Sequence, residues 1–209
     1  MRLLKLKSRL LLVFLALTLV VSWDSSLGVC AEDPGPMVQI RETVDSILLL
    51  MRDPALASPE KSGERRTRII KAVDIRFDFR EMSMRTLGKV WDEKSEEQRG
   101  VFQKLFADLL KNNYIGRIEG YSNEEISYHK VIMDKTGSRA MVFTSVIKNT
   151  REISINYKLI LKGHDWRVYD VEIEGVSLVK NYRSEFSRII SKEDYAGLIK
   201  RMEEKVRLE

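Results

Sequence analysis

From Tyr114 to Glu174 the apolar residues of this 209-residue chain tend to recur at every second position. A period of two puts alternate side chains on opposite faces of an extended strand, so the stretch reads as sheet. Strands are predicted near 114–121, 125–134, 138–149, 152–162 and 165–174, with turns at Gly137, Asn149-Thr150 and Gly163. In the fourth of these, Ile153, Ile155, Tyr157, Leu159 and Leu161 share one face, and Ser154, Asn156 and Lys158 the other. Connections this short join antiparallel neighbours, which gives a meander with one buried face.

Helical spacing surrounds the meander. Met37, Ile40, Val44, Ile47, Leu48 and Met51 form one helix stripe that ends near Asp53-Pro54. Residues 52–64 read as a loop in which Ser58-Pro59-Glu60 looks like a helix start, and a second helix is expected over Arg65–Val73. Ile75 to Gly88 reads as short helix or turn, and Trp91 follows in a linker. Ser95-Glu96-Glu97-Gln98 is a capping box. It opens a helix carrying Val101, Phe102, Leu105, Phe106, Leu109 and Leu110, which Asn112-Asn113 is expected to end. After the last strand, Glu174-Gly175 forms a turn into a helix over Ser177–Ile190, with Leu178, Tyr182, Phe186 and Ile189 on one face. A final helix is capped by Ser191 and Asp194. Helices, a meander and helices again define an α+β domain whose helices cover one face of a curved antiparallel sheet, a cone with an interior.

The N-terminus carries an address. Arg2, Lys5, Lys7 and Arg9 precede the apolar run Leu10–Val21, and a polar segment leads to Gly28-Val29-Cys30-Ala31. This is the order of a secretory signal peptide, and the run is shorter than the roughly 20 residues a spanning helix needs. Residues 1–31 are therefore expected to be removed, with cleavage after Ala31 or, as a second choice, after Gly28. Lipidation of Cys30 is a weaker reading, because Val29 is a poor residue to precede a lipid-bearing cysteine. Of 36 basic and 31 acidic residues, that segment takes four and one, so residues 32–209 carry 32 against 30. A nucleic-acid partner loses its main support at that balance. The single cysteine is Cys30, so residues 32–209 have no disulfide and must be held by one sizeable core.

Reactive chemistry is sparse. His129 lies in a strand and His164 in the Gly163-His164-Asp165 turn, neither with a second ligand at metal spacing. A cysteine nucleophile is lacking in residues 32–209, and the chain has no nucleophile elbow, phosphate-binding loop or dinucleotide fingerprint. Asp170 interrupts an apolar strand and could serve a general base role; a brace to a neighbouring helix, with Arg183 as partner, is the favoured reading. Arg65-Arg66-x-Arg68, flanked by Glu60 and Glu64, reads as a solvated helix face.

Four stretches carry a resemblance: FDFREMSMRTLGKVW (77–91), SEEQRGVFQKLFADLLKNNY (95–114), INYKLILKGHDWRVYDVEIEGVSLVKNYRSEFSRII (155–190) and DYAGLIKRMEEK (194–205). They resemble the MlaC family, also called the toluene-tolerance family. The run W-x-V-x-D-V-x-I-E-G-V-S-L-V-x-N-Y-R-x-x-F is its most specific part. The resemblance implies a cone related to the nuclear-transport-factor-like (NTF2-like) group. It also implies a non-enzymatic periplasmic carrier that needs no cofactor and takes a phospholipid as cargo. The implied partners are an outer-membrane lipoprotein–porin complex and an inner-membrane ABC transporter with an MCE-domain subunit. Residues 37–76 match less distinctly.

On that reading the tail site is expected at Phe77, Phe79, Leu87, Phe102, Phe106, Leu110, Val142, Val146, Ile155, Tyr157, Leu159, Val168, Val171, Val176, Leu178, Tyr182 and Phe186. Each of these also suits an ordinary filled core. Competing readings are an exported NTF2-like enzyme using Asp170 with Tyr157 or Tyr182, a carrier of a hopanoid-type lipid, and an adaptor with a solid interior.

Overall fold

The period-two region forms a meander in the computed structural model, which describes residues 34–120, 124–148 and 150–208. The leader expected over residues 1–31, with Cys30 and both cleavage positions, lies outside them. Strands β1 (Glu125–Met133), β2 (Arg139–Lys148), β3 (Arg151–Lys162), β4 (Asp165–Ile173) and the two-residue β5 (Val176–Ser177) pair in that order, each antiparallel to the next. Irregular pairing at Tyr128/Lys130 and at Lys158/Leu159 curves the open sheet. Gly137, Thr150, Gly163, Glu174 and Gly175 all have positive φ. The Glu174-Gly175 corner needs it twice in succession, which suits glycine at its second place.

The helices in chain order are α1 (Pro36–Arg52), α2 (Ser62–Arg76), α3 (Phe79–Leu87), α4 (Lys89–Asp92), α5 (Glu96–Glu119) and α6 (Leu178–Leu208). Two short 3-10 turns, Pro54–Leu56 and Pro59–Lys61, lie in the loop expected after α1. The capping box forms as read: Ser95 Oγ accepts from Gln98 N and Gln98 Oε1 from Ser95 N. Two expectations fail here. Asn112-Asn113 does not end α5, and residues 114–119 are helix rather than strand. Leu110, Tyr114 and Ile118 are four residues apart and stay on one helix face, so the apolar stripe carries the helix past the asparagines. Trp91 also departs from expectation, lying buried in α4 instead of in a linker. Near the C-terminus α6 is broken at Asp194, where φ is 63°, and Asp194 Oδ1 accepts from Gly197 N at 3.0 Å to restart the helix. Ser191 takes no part in that cap and donates to Arg188 O instead.

Two apolar clusters hold the layers together. The larger joins α3, α4, α5 and α6 through Trp91, Phe102, Phe106, Tyr182, Phe186 and Leu198. The smaller joins α1 to the sheet through Ile40, Val142, Leu159, Trp166 and Val168. A buried polar knot fastens α1 as well. Gln39 Oε1 accepts from Trp166 N at 3.0 Å, and Gln39 Nε2 donates to His164 O at 3.1 Å. Arg76 donates to Trp166 O at 2.9 Å, to Thr43 Oγ1 at 2.9 Å and to Gln39 Oε1. Within α1 only Pro36, Gln39 and Ile40 are buried. The helix is thus pinned at its N-terminal end.

Candidate functional site

The rest of α1 borders open space. A cavity of about 620 Å³ lies between the curved sheet and helices α1, α2, α3 and α5. The sheet supplies alternate residues from each strand: Ile126 and Tyr128, Thr144 and Val146, Ile153, Ile155 and Tyr157, and Val171 and Ile173. Opposite them α1 presents Val44, Ile47, Leu48 and Met51, the i, i+3, i+4, i+7 spacing of one helix face. Ile70, Val73, Phe77, Phe79 and Met82 close one side, and Leu110, Tyr114, Ile115 and Ile118 of α5 the other. Leu178, the first residue of α6, completes the wall.

Polar groups on this wall are few and most are engaged. Thr144 Oγ1 donates to Ile155 O within the sheet. Lys111 pairs with Asp74 at 2.7 Å and lies 5.1 Å from the Phe79 ring centroid. Burial pushes the Tyr157 phenol well above its ordinary pKa, with Tyr128 adding to the shift, so the group stays protonated and offers no base. The remaining charges are Arg117 in the last turn of α5, Glu124 just before β1 and Lys148 at the end of β2. Glu124 and Lys148 form an ion pair of 3.0 Å. The cavity therefore has a charged end, where α5 stops and β1 begins. A second hollow of about 640 Å³ is a charged surface cleft between α5 and the β3–β4 hairpin, separated from the cavity by the stacked rings of Phe77 and Phe79.

Of the residues expected to line a tail site, Phe77, Phe79, Leu110, Val146, Ile155, Tyr157, Val171 and Leu178 lie on this wall. The others lie elsewhere. Leu87, Phe102, Phe106, Tyr182 and Phe186 pack inside the larger cluster, where α3, α5 and α6 meet directly. Val142, Leu159 and Val168 sit in the smaller cluster beneath Ile40 and Trp166. Val176 is 58% exposed, because β5 is an edge strand of two residues. The wall from α1, α2 and the C-terminal turns of α5 is not among the residues expected from sequence, although the stripe Val44, Ile47, Leu48, Met51 carries the spacing of its α1 part.

Asp170 is not part of the cavity. One carboxylate oxygen takes Ser177 Oγ at 2.6 Å and Lys158 Nζ at 3.1 Å, and the other accepts from Val179 N at 3.1 Å. It braces the start of α6 against β3 and β4, the role favoured for it, with Ser177, Lys158 and Val179 N as partners in place of Arg183. Arg183 follows inward-facing Tyr182, points outward over Gly88, and donates to Arg85 O at 3.5 Å. His129 Nε2 lies 2.8 Å from Ser145 Oγ. Among the described residues no group of three His, Cys, Asp or Glu side chains is placed to hold a metal ion. The arginine run is a helix face: Arg66 pairs with Glu119, Arg68 with Glu64, and Arg65 donates to Leu56 O.

A sequence model of the MlaC protein family matches residues 41–204. The chain belongs to the MlaC family. A relative from Haemophilus influenzae, described as the intermembrane phospholipid transport system binding protein MlaC, is 27% identical over 124 residues. That match spans 57% of this chain and 58% of the relative. Among solved structures, the phospholipid-binding protein from Ralstonia solanacearum in complex with a phospholipid superposes with a TM-score of 0.74. It is 23% identical, and the match covers 84% of this chain and 98% of that one. The α+β fold with a curved antiparallel sheet is thus the architecture of a solved phospholipid-binding protein, and the MlaC-family chain described here shares it.

Proposed function

We propose that this MlaC-family protein is a non-enzymatic phospholipid carrier that holds acyl tails in the 620 Å³ cavity. The observation that carries the proposal is the cavity itself: apolar on both walls, charged at one end, and of a size within the roughly 300–1,000 Å³ typical of ligand sites. The eight wall residues named from Phe77 to Leu178 are the tail contacts on this reading, together with Val44, Ile47, Leu48 and Met51 of α1. The phospholipid-binding descriptions of both relatives point the same way.

The energetics suit such a role. Two tails of ~16 carbons represent roughly 25 kcal/mol of apolar transfer at ~0.8 kcal/mol per CH₂, so a lipid does not cross water unaided. Moving tails from a bilayer into the cavity exchanges one apolar medium for another, and the net change stays small. A shuttle needs that balance to load and release, and it needs no catalytic group or cofactor. The leader at residues 1–31 directs the carrier to the periplasm. There it moves lipid between an outer-membrane lipoprotein–porin complex and an inner-membrane ABC transporter with an MCE-domain subunit.

Mass spectrometry of the protein purified without detergent is the test. Stoichiometric co-purifying phospholipid is expected. A hopanoid in its place would change the cargo class, and a protein that arrives empty and takes no lipid from vesicles would sink the carrier reading.

A further inference from the structure

Three charged side chains gathered at one end of a largely apolar wall need a reason. The Glu124 side chain is 7% exposed, yet its carboxylate stands at the rim of an apolar cavity with Lys148 at 3.0 Å. Burying a carboxylate there is costly unless a cation stays beside it. Lys148 is 45% exposed and has the reach to leave. Arg117 makes no ion pair with a carboxylate among the described residues; its guanidinium lies 5.3 Å from the ring centroid of Tyr114, itself a wall residue. The β1–β2 pairing, with Glu125 opposite Ile147, sets Glu124 and Lys148 side by side, and the last turn of α5 brings Arg117 to the same end. The carbonyl end of α5 adds partial negative charge.

Resting on the carrier reading, we propose that Arg117, Lys148 and Glu124 form a headgroup site for a zwitterionic phospholipid. The headgroup phosphate takes Arg117 and Lys148, and its ammonium takes Glu124. Binding exchanges the Glu124–Lys148 ion pair for three charge pairs with the ligand, and the Glu124 carboxylate keeps a cation beside it. A headgroup with phosphate but no ammonium must leave Lys148 shared between Glu124 and the phosphate. A neutral lipid gives Arg117 nothing to hold.

The test loads the purified protein from vesicles of equal parts phosphatidylethanolamine, phosphatidylglycerol and diacylglycerol with matched acyl chains, and reads the bound lipids by mass spectrometry. The wild-type protein is expected to take phosphatidylethanolamine over phosphatidylglycerol by about three-fold, the worth of one partly exposed ion pair. Glu124→Gln should bring that ratio to about one, on the same basis. Arg117→Gln alters an exposed side chain and keeps the fold; it should reduce the preference for either phospholipid over diacylglycerol. Wild-type uptake in vesicle proportions, or an unchanged ratio in Glu124→Gln, overturns the headgroup site and leaves the carrier standing. Failure to take any of the three lipids overturns the carrier and the site together.

Discussion

The interior has two ends built from the same kinds of residue. At one, Phe102, Phe106, Tyr182 and Phe186 meet ring against ring, with centroids 5.3 to 5.8 Å apart. At the other, Phe77, Tyr114, Ile155 and Val171 face open space. Helix contact makes the difference. Where α5 lies against α6, aromatic side chains of each fill the spaces of the other. Where α1 faces the sheet, only its first turn is buried, and Val44 to Met51 stand away from Ile153 and Ile155. A solid core and a lined cavity therefore differ in how the helices are pinned, not in which residues they carry.

Neighbouring strands offer the strongest way to break this contrast. Leu159 and Val171 both belong to the smaller cluster, but Leu159 is fully buried off the cavity wall, whereas Val171, paired with Tyr157 on the adjacent strand, also lines the cavity. Leu159→Asp puts a charge where nothing can move, and a loss of several kcal/mol is expected, enough to unfold a domain of ordinary stability. Val171→Glu has space to reach into; the fold should survive while lipid occupancy falls. Urea unfolding with lipid mass spectrometry on both variants checks the pair, and equal destabilisation would erase the distinction.

Truncations sharpen it. Phe106→Ala removes the ring that touches Phe102, Tyr182 and Phe186 and should cost about 4 kcal/mol. Ile155→Ala enlarges a space already present and should fall at the low end of its class, about 2 kcal/mol. Filling is the converse. Val146→Phe would cost roughly 1–3 kcal/mol in a packed core. On the cavity wall it should cost under about 1 kcal/mol and still lower the bound lipid per protein. At the solid end, Ser95→Ala should lose about 1 kcal/mol by unmaking the α5 cap, with no change in lipid content.

The smallest effect is electrostatic. Burial pulls the Lys158 ammonium down, but the hydrogen bonds it donates to Asp170 and Glu172 outweigh that and leave its pKa raised from 10.5. A raised folded-state pKa means the contribution is complete below about 10.5 and disappears as pH climbs through the folded value. A slight fall in urea midpoint above that pH, abolished in Lys158→Met, is the expected signature.

Much of this fold is legible in the chain. Alternation in β3, the Ser95 capping box and the Glu174-Gly175 corner all act locally, so local patterns reveal them. The end of α5 is hidden for a physical reason: two asparagines and a following Tyr-Ile pair favour a stop and a strand, while the helix-spaced stripe Leu110, Tyr114 and Ile118 carries the helix on and overrides that local preference. The site is harder. Phe186 and Phe77 present the same apolar surface to water and gain similarly from leaving it, so the unfolded chain holds no mark of which will face a neighbour and which a void. That depends on where α1 is fastened, through Gln39 and Trp166, which are 127 residues apart.

This separation has a consequence for assembly. Helix α1 precedes the meander in synthesis, yet its carbonyl and amide partners at His164 and Trp166 belong to the β3–β4 turn and β4. Closing so long a loop is entropically worthwhile only once the sheet exists to receive it. The sheet can form by local hairpins while α1 waits undocked. The wall that seals the cavity is then the last to arrive, although it is made first. Pulsed hydrogen exchange during refolding would record that order as late protection of the α1 amides, after those of β2 to β4.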